Sequence, residues 1–315
     1  MRLLNQSCEA FVQKYSNDPL EYMNLMYKHI ERCGRTCYRS SDKITEDSAK
    51  PFVDRMINSK HFAMLEHGTI YLKWQQTSYL DGMYGDDRYY DSNPLAKYKD
   101  NKYSIINKVE SSFGYNHVDN STYYVTTNYR VLIENNWLDD LKYLCEPTEH
   151  HKKRYTLFCT TALHCYKDLT RHRVFSFAIE STRYCNYNKE KFGKELTFIK
   201  PLWTPCEYDY DWADCGSGLD QAYPCSETAD AYFTTYLANC EKTYLHLIDL
   251  GWQAQQAAEV LPQCIKGDMI ITGFEDDWKH LLDLRYYGTT GAPHPMVKEL
   301  ATLMKEELEK LGFKY

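Results

Sequence analysis

The sequence predicts a mixed α+β domain, helix-rich with a few strands between the helices. Three observations predict it. Long segments repeat apolar residues at helical spacing, and shorter ones alternate as half-buried strands do. The glycine fingerprints of nucleotide folds are also missing: there is no Gly-x-Gly-x-x-Gly, no Gly-x-x-x-x-Gly-Lys loop, no Gly-x-Ser-x-Gly elbow and no His-Glu-x-x-His. A Rossmann dinucleotide fold is therefore disfavoured.

In chain order, residues 18–34 and 46–60 read as helices, the second with Phe52, Val53, Met56 and Ile57 in phase after Pro51. Gly68 to Trp74 alternates, with Ile70, Leu72 and Trp74 on one side, as a strand does. From about 78 to 121 the chain is polar, rich in Asp, Asn, Gly, Ser and Tyr, and reads as an insertion or a long loop excursion. Tyr123 to Val131 is β-rich, Trp137 to Leu144 a short helix, and Tyr155 to Thr160 another strand. A helical stretch at 161–171 runs into Arg171-His172-Arg173. The clearest helix is 228–250, where Ala229, Phe233, Tyr236, Cys240, Tyr244 and Leu247 share a face and Gly251 stands at the C-terminal cap. One more helix ends at Pro262 and another starts after Asp276. The last, Pro295 to Leu311, has a proline start, a Gly312 stop and a Met296, Leu300, Leu303, Leu311 stripe.

Composition narrows the class. An apolar share of 43% in 315 residues supports a substantial core, and no apolar run approaches the ~18 residues of a membrane span. Met1-Arg2-Leu3-Leu4 runs straight into Asn5-Gln6, so no signal-peptide core is expected. The net charge of −7 argues against a dedicated nucleic-acid binder. The 12 cysteines include no Cys-x-x-Cys pair, so they read as reduced, buried small residues of a cytosolic protein, with no metal site expected. The expected organisation is one catalytic domain over 1–315 with a Tyr-rich insertion at about 75–153.

Chemistry concentrates in 171–187. Arg171, His172 and Arg173 repel one another unless an anion gathers them, and Glu180, Ser181, Thr182 and Arg183 follow within ten residues. Two hydroxyls, a guanidinium and backbone donors suit phosphate oxygens. The bland alternative is a basic helix end paired with acids such as Glu180. Further on, Trp278, Leu281, Leu282 and Arg285 share a helical face, so Arg285 either snorkels at a helix end or serves a site. Glu66-His67, entering a strand, is either a satisfied turn or a ligand holder at a sheet edge.

Together these pieces resemble the flavin-dependent thymidylate synthases, whose signature is Arg-His-Arg, seven residues, then Ser. Here it is Arg171-His172-Arg173 through Ser181, with Arg183-Tyr184 following. Arg35-Thr36-Cys37-Tyr38, Leu65-Glu66-His67, Leu261-Pro262 and Leu284-Arg285 stand in the order of that family, and the match covers most of 30–75 and 154–305. The length resembles a bacterial or phage branch acting in the cytoplasm. The resemblance implies a non-Rossmann fold with a mixed or antiparallel sheet flanked by helices. It also implies a homotetramer with active sites at subunit interfaces. The implied reaction is reductive methylation of dUMP at C5 to dTMP, with methylenetetrahydrofolate as one-carbon donor and NADPH reducing FAD. By carry-over, His67, Thr69, Arg171, His172, Arg173 and His280 would contact FAD. Arg171, Glu180, Ser181, Thr182, Arg183 and Arg285 would contact dUMP, with Ser181 and Arg183 supplied by a neighbouring subunit for the phosphate. Arg285 would lie against the uracil ring, and Arg285 and Ser181 are the catalytic candidates. The chain departs from the family pattern at Asp168, Ala178, Ile179, Ala258 and Phe274. Those departures keep open a C5 transferase acting on UMP or dCMP, or a flavin- and nucleotide-binding homologue without turnover.

Overall fold

The structure, a computed structural model, describes residues 1–76, 78–80, 88–90, 92–113, 118–204, 224 and 226–315. Cys206, Cys215 and Cys225, and parts of the expected insertion, lie outside the described residues.

The chain opens with short strands β1 (Arg2–Leu4) and β2 (Ser7–Ala10), then helices α1 (Pro19–Cys37) and α2 (Ala49–Asn58). A 3-10 helix, Phe62–His67, leads into β3 (Thr69–Gln76), followed by β4 (Ser78–Leu80) and β5 (Arg88–Tyr90). Next come β6 (Ile105–Phe113), β7 (Val118–Asn128) and α3 (Tyr129–Asn135). β8 (Arg154–Ala162), α4 (Leu163–Leu169), β9 (Ser176–Ile179) and β10 (Thr197–Ile199) precede α5 (Ala229–Asp249) and α6 (Ala254–Ala257). β11 (Lys266–Phe274), α7 (Glu275–Leu282), a π-helical turn at Asp283–Tyr287 and α8 (Pro295–Lys310) follow.

The central sheet is antiparallel, in the order β2-β8-β11-β9. A second antiparallel sheet has the order β3-β7-β6, and β1 pairs with β10 in parallel. Helices cover both faces of the central sheet. On one face Leu157, Met269 and Ile271 pack with Trp278 and Leu281 of α7 and with Leu300 and Met304 of α8. On the other, Ile270 and Ala178 meet Cys33 of α1 and Phe11. Burying each such aliphatic side chain stabilises the fold by about 1.5–3 kcal/mol.

The helix ends follow local chemistry. Asp18 accepts a hydrogen bond from the Glu21 N–H and Pro19 fills the first turn of α1, while His294 and Pro295 do the same for α8. The helices expected at 18–34, 46–60, 228–250 and 295–311 all form.

The strands expected at Gly68–Trp74 and Tyr155–Thr160 form as β3 and β8, and the others differ from expectation. The stretch expected as an excursion over about 78–121 carries β6, paired along its length with β7, which in turn lies on β3. The reason is that β6 is the edge strand of this sheet and none of its described side chains is fully buried, so it can remain polar, whereas β3 and β7 bury Ile70, Leu72 and Val125. The run Tyr123–Val131 divides into the end of β7 and the start of α3, where Asn128 accepts from the Val131 N–H as a helix cap. β1, β2, β9 and β10 have only three or four residues each, too few for an alternation to mark them. β11 is covered on both faces over its middle, Met269 to Gly273, and its polar residues Lys266, Asp268 and Thr272 are too few and too interrupted by glycine to read as an alternation.

Candidate active site

The Arg-His-Arg segment is a tight turn between α4 and β9. Three backbone hydrogen bonds draw it in: His172 N–H to Leu169 O at 3.0 Å, Arg173 N–H to Arg171 O at 3.0 Å, and Phe175 N–H to His172 O at 3.2 Å. The Phe175 ring then packs against β11 at Gly273, where a Cβ would run into it. The turn sends the three side chains to different places. Arg171 and Arg173 are exposed, and neither has an ion-pair partner among the described residues. His172 turns inward and is 6% exposed.

Arg171 and Asp168 line a cavity of about 770 Å³ with Leu261, Pro262, Trp203 and His294. Two segments nearly a hundred residues apart, Asp168–Arg171 and Leu261–Pro262, thus face one space. Behind this wall stands Arg285, on the π-helical turn that ends α7. It donates from Nη2 to Asp168 O at 2.9 Å and from Nε to His172 Nε2 at 3.2 Å, with Nη1 3.7 Å from Asp168 Oδ1. A guanidinium only donates, so His172 Nε2 accepts and the imidazole proton sits on Nδ1. Burial, then the Arg285 charge, then His280 hold the His172 pKa down at about 4. His280 is exposed, its ring centroid 5.9 Å from that of His172. Asp168, Arg171, His172, His280 and Arg285 therefore form one cluster.

Arg173 points into a second cavity, of about 320 Å³, with Arg154, Lys102, Tyr103, Phe274 and Asp277. Arg154 joins this cavity to His67 and Thr69: it donates from Nη1 to Thr69 Oγ1 at 3.1 Å and from both Nη atoms to Glu66 O at 3.2 Å. His67 is fully buried, its Nδ1 2.8 Å from Thr272 Oγ1 and its Nε2 without a partner. Burial, with Arg154 second, holds its pKa down at about 3.

The remaining candidates lie apart from both cavities. Ser181 N–H donates to Cys37 O at 2.9 Å, and the Tyr184 ring lies tilted against that of Tyr38, centroids 5.3 Å apart, so the Arg35–Tyr38 and Ser181–Tyr184 segments adjoin. Thr182 is half-buried, and Arg183 is exposed with its guanidinium 5.6 Å from the Tyr184 ring. Glu180 is buried and occupied: its carboxylate accepts from Tyr187 OH at 3.1 Å, Lys266 Nζ at 3.2 Å and Asp268 N–H at 3.1 Å. That network restrains the end of β9 against β11 and leaves little of the carboxylate for a ligand. Sequence reasoning passed over Arg154 entirely, because a lone arginine at a strand start carries no spacing signal.

A family model described as thymidylate synthase complementing protein matches residues 145–311, just over half of the chain. The chain belongs to that family. Its members are flavin-dependent methyltransferases, the flavin-dependent thymidylate synthases. The family segment holds Asp168, the whole Arg-His-Arg turn, Ser181, Leu261-Pro262 and Arg285, and excludes Lys102 and Tyr103. Among solved structures, the chain is similar to the UMP/dUMP methylase PolB from Streptomyces cacaoi bound with 5-Br dUMP. That likeness has 15% identity and a TM-score of 0.41, covering 99% of this chain and 93% of that one. The same enzyme bound with 5-Br UMP gives 14% identity and a TM-score of 0.41, covering 99% and 92%. No curated protein matches the chain.

The residues present fit a flavin nucleotide. Arg171 and Arg173, which have no ion-pair partner among the described residues, open onto the two cavities, and Arg154, on the lining of the second, has a buried Nε without a hydrogen-bond partner among them. Buried donors without partners are costly unless a ligand or water supplies acceptors. Among the described residues, no group of three or more His, Cys, Asp or Glu is placed to hold a metal ion. Nor, among them, is any helix long and apolar enough to cross a membrane.

Proposed function

We propose that this chain is a flavin-dependent thymidylate synthase, methylating dUMP at C5 to dTMP with methylenetetrahydrofolate as one-carbon donor and NADPH as reductant of FAD. Family membership supports the reaction type. The observation that carries the site is the Asp168-Arg171-His172-Arg285 cluster at the wall of the 770 Å³ cavity. FAD, when bound, supplies the redox and one-carbon chemistry.

The protein residues supply position and charge. Arg171 would hold anionic oxygens at the cavity mouth. Arg285, pinned by His172 and Asp168, keeps a fixed positive charge behind the wall. Uracil C5 becomes nucleophilic when negative charge developing at N3 and O2 is stabilised, and a pre-oriented guanidinium does this without reorganising. Neutral His172 orients Arg285 without competing for its charge. His67, Thr69, Arg173 and His280 would hold the cofactor. Ser181, Thr182 and Arg183 do not line the cavity of their own chain, so a neighbouring copy would supply them for the nucleotide phosphate, in a homotetramer acting in the cytoplasm. No protein nucleophile is required.

Asp168 favours a second reading, a C5 transferase acting on UMP or dCMP. A carboxylate at the cavity wall is an acceptor only, and suits a base or sugar group that donates. The test is the visible absorption spectrum of the protein with FAD, before and after dUMP, UMP or dCMP. Flavin bands that shift with dUMP, together with dUMP-dependent flavin oxidation, support the synthase. A response confined to UMP or dCMP replaces it with the second reading, and flavin binding without turnover makes the chain a binding homologue.

A further inference from the structure

We infer that Cys8 and Cys159 form a redox latch, a thiol pair that hydrogen peroxide closes to a disulfide and that thereby fastens β2 to β8. The inference goes beyond the catalytic reading above and stands on thiols that line neither of its cavities.

The two sulfurs are 3.3 Å apart, although the residues are 151 positions apart along the chain. The sheet register sets them face to face, since Cys8 is the direct partner of Cys159 in the antiparallel pair of β2 and β8. Opposed residues of such a pair alternate between hydrogen-bonded and non-hydrogen-bonded sites. The Phe11 N–H donates to Thr156 O at 2.9 Å in the same register, so that site is hydrogen-bonded. Three positions along, the Cys8–Cys159 site is of the other kind. Ala10, two positions from Cys8, agrees: its N–H turns away from β8 and donates to Glu307 Oε2 at 3.1 Å. Non-hydrogen-bonded partners bring their Cα atoms to about 4.5 Å, inside the span of about 4.4–6.8 Å that a disulfide bridges. The sheet therefore already holds the pair within bonding reach.

The two thiols differ in access. Cys8 is half-buried, whereas Cys159 is fully buried, and burial pushes the Cys159 thiol well above its usual pKa. Peroxide therefore meets Cys8 first. The Cys8 sulfur attacks one peroxide oxygen, the O–O bond breaks, and a sulfenic acid and one water result. The Cys159 sulfur then displaces the sulfenic oxygen, which leaves with the second thiol proton as water. Two thiols and one peroxide give one disulfide and two waters, and the two electrons lost by sulfur reduce the peroxide. Position gives the latch its use. β2 is a four-residue edge strand of the central sheet, an element with few neighbours to keep it from opening. Just before it, Gln6 donates to Met296 O at 2.9 Å, and Met296 lines the 770 Å³ cavity. The closed latch holds this edge, and the cavity wall it braces, to the sheet.

The test is peptide mapping by mass spectrometry of the full chain, treated with hydrogen peroxide and digested without reductant, with thermal melting of the same samples. The expected result is a joined pair of peptides carrying Cys8 and Cys159, lighter than their sum by two hydrogens. The melting temperature should rise by about 5 °C, because the bond closes a long loop in the unfolded chain. Dithiothreitol should reverse both changes, and Cys8→Ala should show neither under the same treatment. If Cys8 is instead carried to sulfinic acid with the peptides still separate, or if either cysteine joins a different partner, the inference is overturned. A joined protein that melts no higher than the reduced one overturns it as well. The wild-type map decides the pairing even where Cys8→Ala folds poorly.

Discussion

Arg285 donates through Nε to Nε2 of His172 at 3.2 Å, joining the π-helical turn after α7 to the turn before β9. Neither residue alone explains the arrangement. His172 is neutral because it is buried beside a fixed cation, and Arg285 is fixed because a neutral imidazole offers it a lone pair.

The first prediction tests that coupling. In His172→Ala, Arg285 keeps only Asp168, and nucleotide affinity measured by calorimetry with dUMP should fall about ten-fold. His172→Asn places an amide oxygen nearby and should recover part of the loss. Equal affinity in both variants and wild type would remove the positioning role.

Stability should fall on mild acidification. Burial holds His29 and His67 at about 3 in the folded protein, against 6.5 for an unperturbed histidine. Between roughly pH 6.5 and 3 the unfolded chain therefore binds more protons than the folded one, so stability declines as pH falls through that window. The slope is at most about 1.4 kcal/mol per pH unit for each of these two histidines. Urea unfolding at pH 7, 6 and 5 measures it, and replacing His29 with Phe should flatten the dependence. A curve equally steep in that variant would refute the assignment to His29.

Glu180 should behave as a structural residue. Glu180→Ala leaves Lys266 buried beside Asp268 with one carboxylate fewer, and should destabilise the fold by about 3 kcal/mol in chemical denaturation. Ser181→Ala, whose side chain leaves that network intact, should change the melting temperature little and nucleotide binding more. Comparable melting temperatures for wild type and Glu180→Ala would show that the carboxylate is free for a ligand.

Gly273 tests the seat of the Arg-His-Arg turn. A methyl group there meets the Phe175 ring, so Gly273→Ala should cost about 1–3 kcal/mol by overpacking and loosen the turn that aims Arg171 and Arg173. Thermal melting gives the first effect, and flavin titration of the folded variant gives the second. Unchanged melting would mean that Phe175 has room to move.

The sequence by itself determined the helices, because their apolar stripes and caps are local: Asp18 and Pro19 start α1, and Gly251 and Gly312 stop α5 and α8. It also determined the family, since Arg171-His172-Arg173, Ser181, Leu261-Pro262 and Arg285 form a linear order that needs no coordinates. β11 was not legible, because its middle, Met269 to Ile271, is covered by α1 on one face and by α7 and α8 on the other and reads as a continuous apolar run. The division of labour within the motif was decided only by tertiary structure. Adjacent residues of one turn look alike in sequence, yet Arg171 faces one cavity, Arg173 faces another, and His172 points inward at Arg285, 113 residues away along the chain. Glu180, beside the motif serine, is drawn instead to Lys266 on the neighbouring strand. Burial and pairing depend on what the rest of the chain brings alongside, and local spacing holds no record of that.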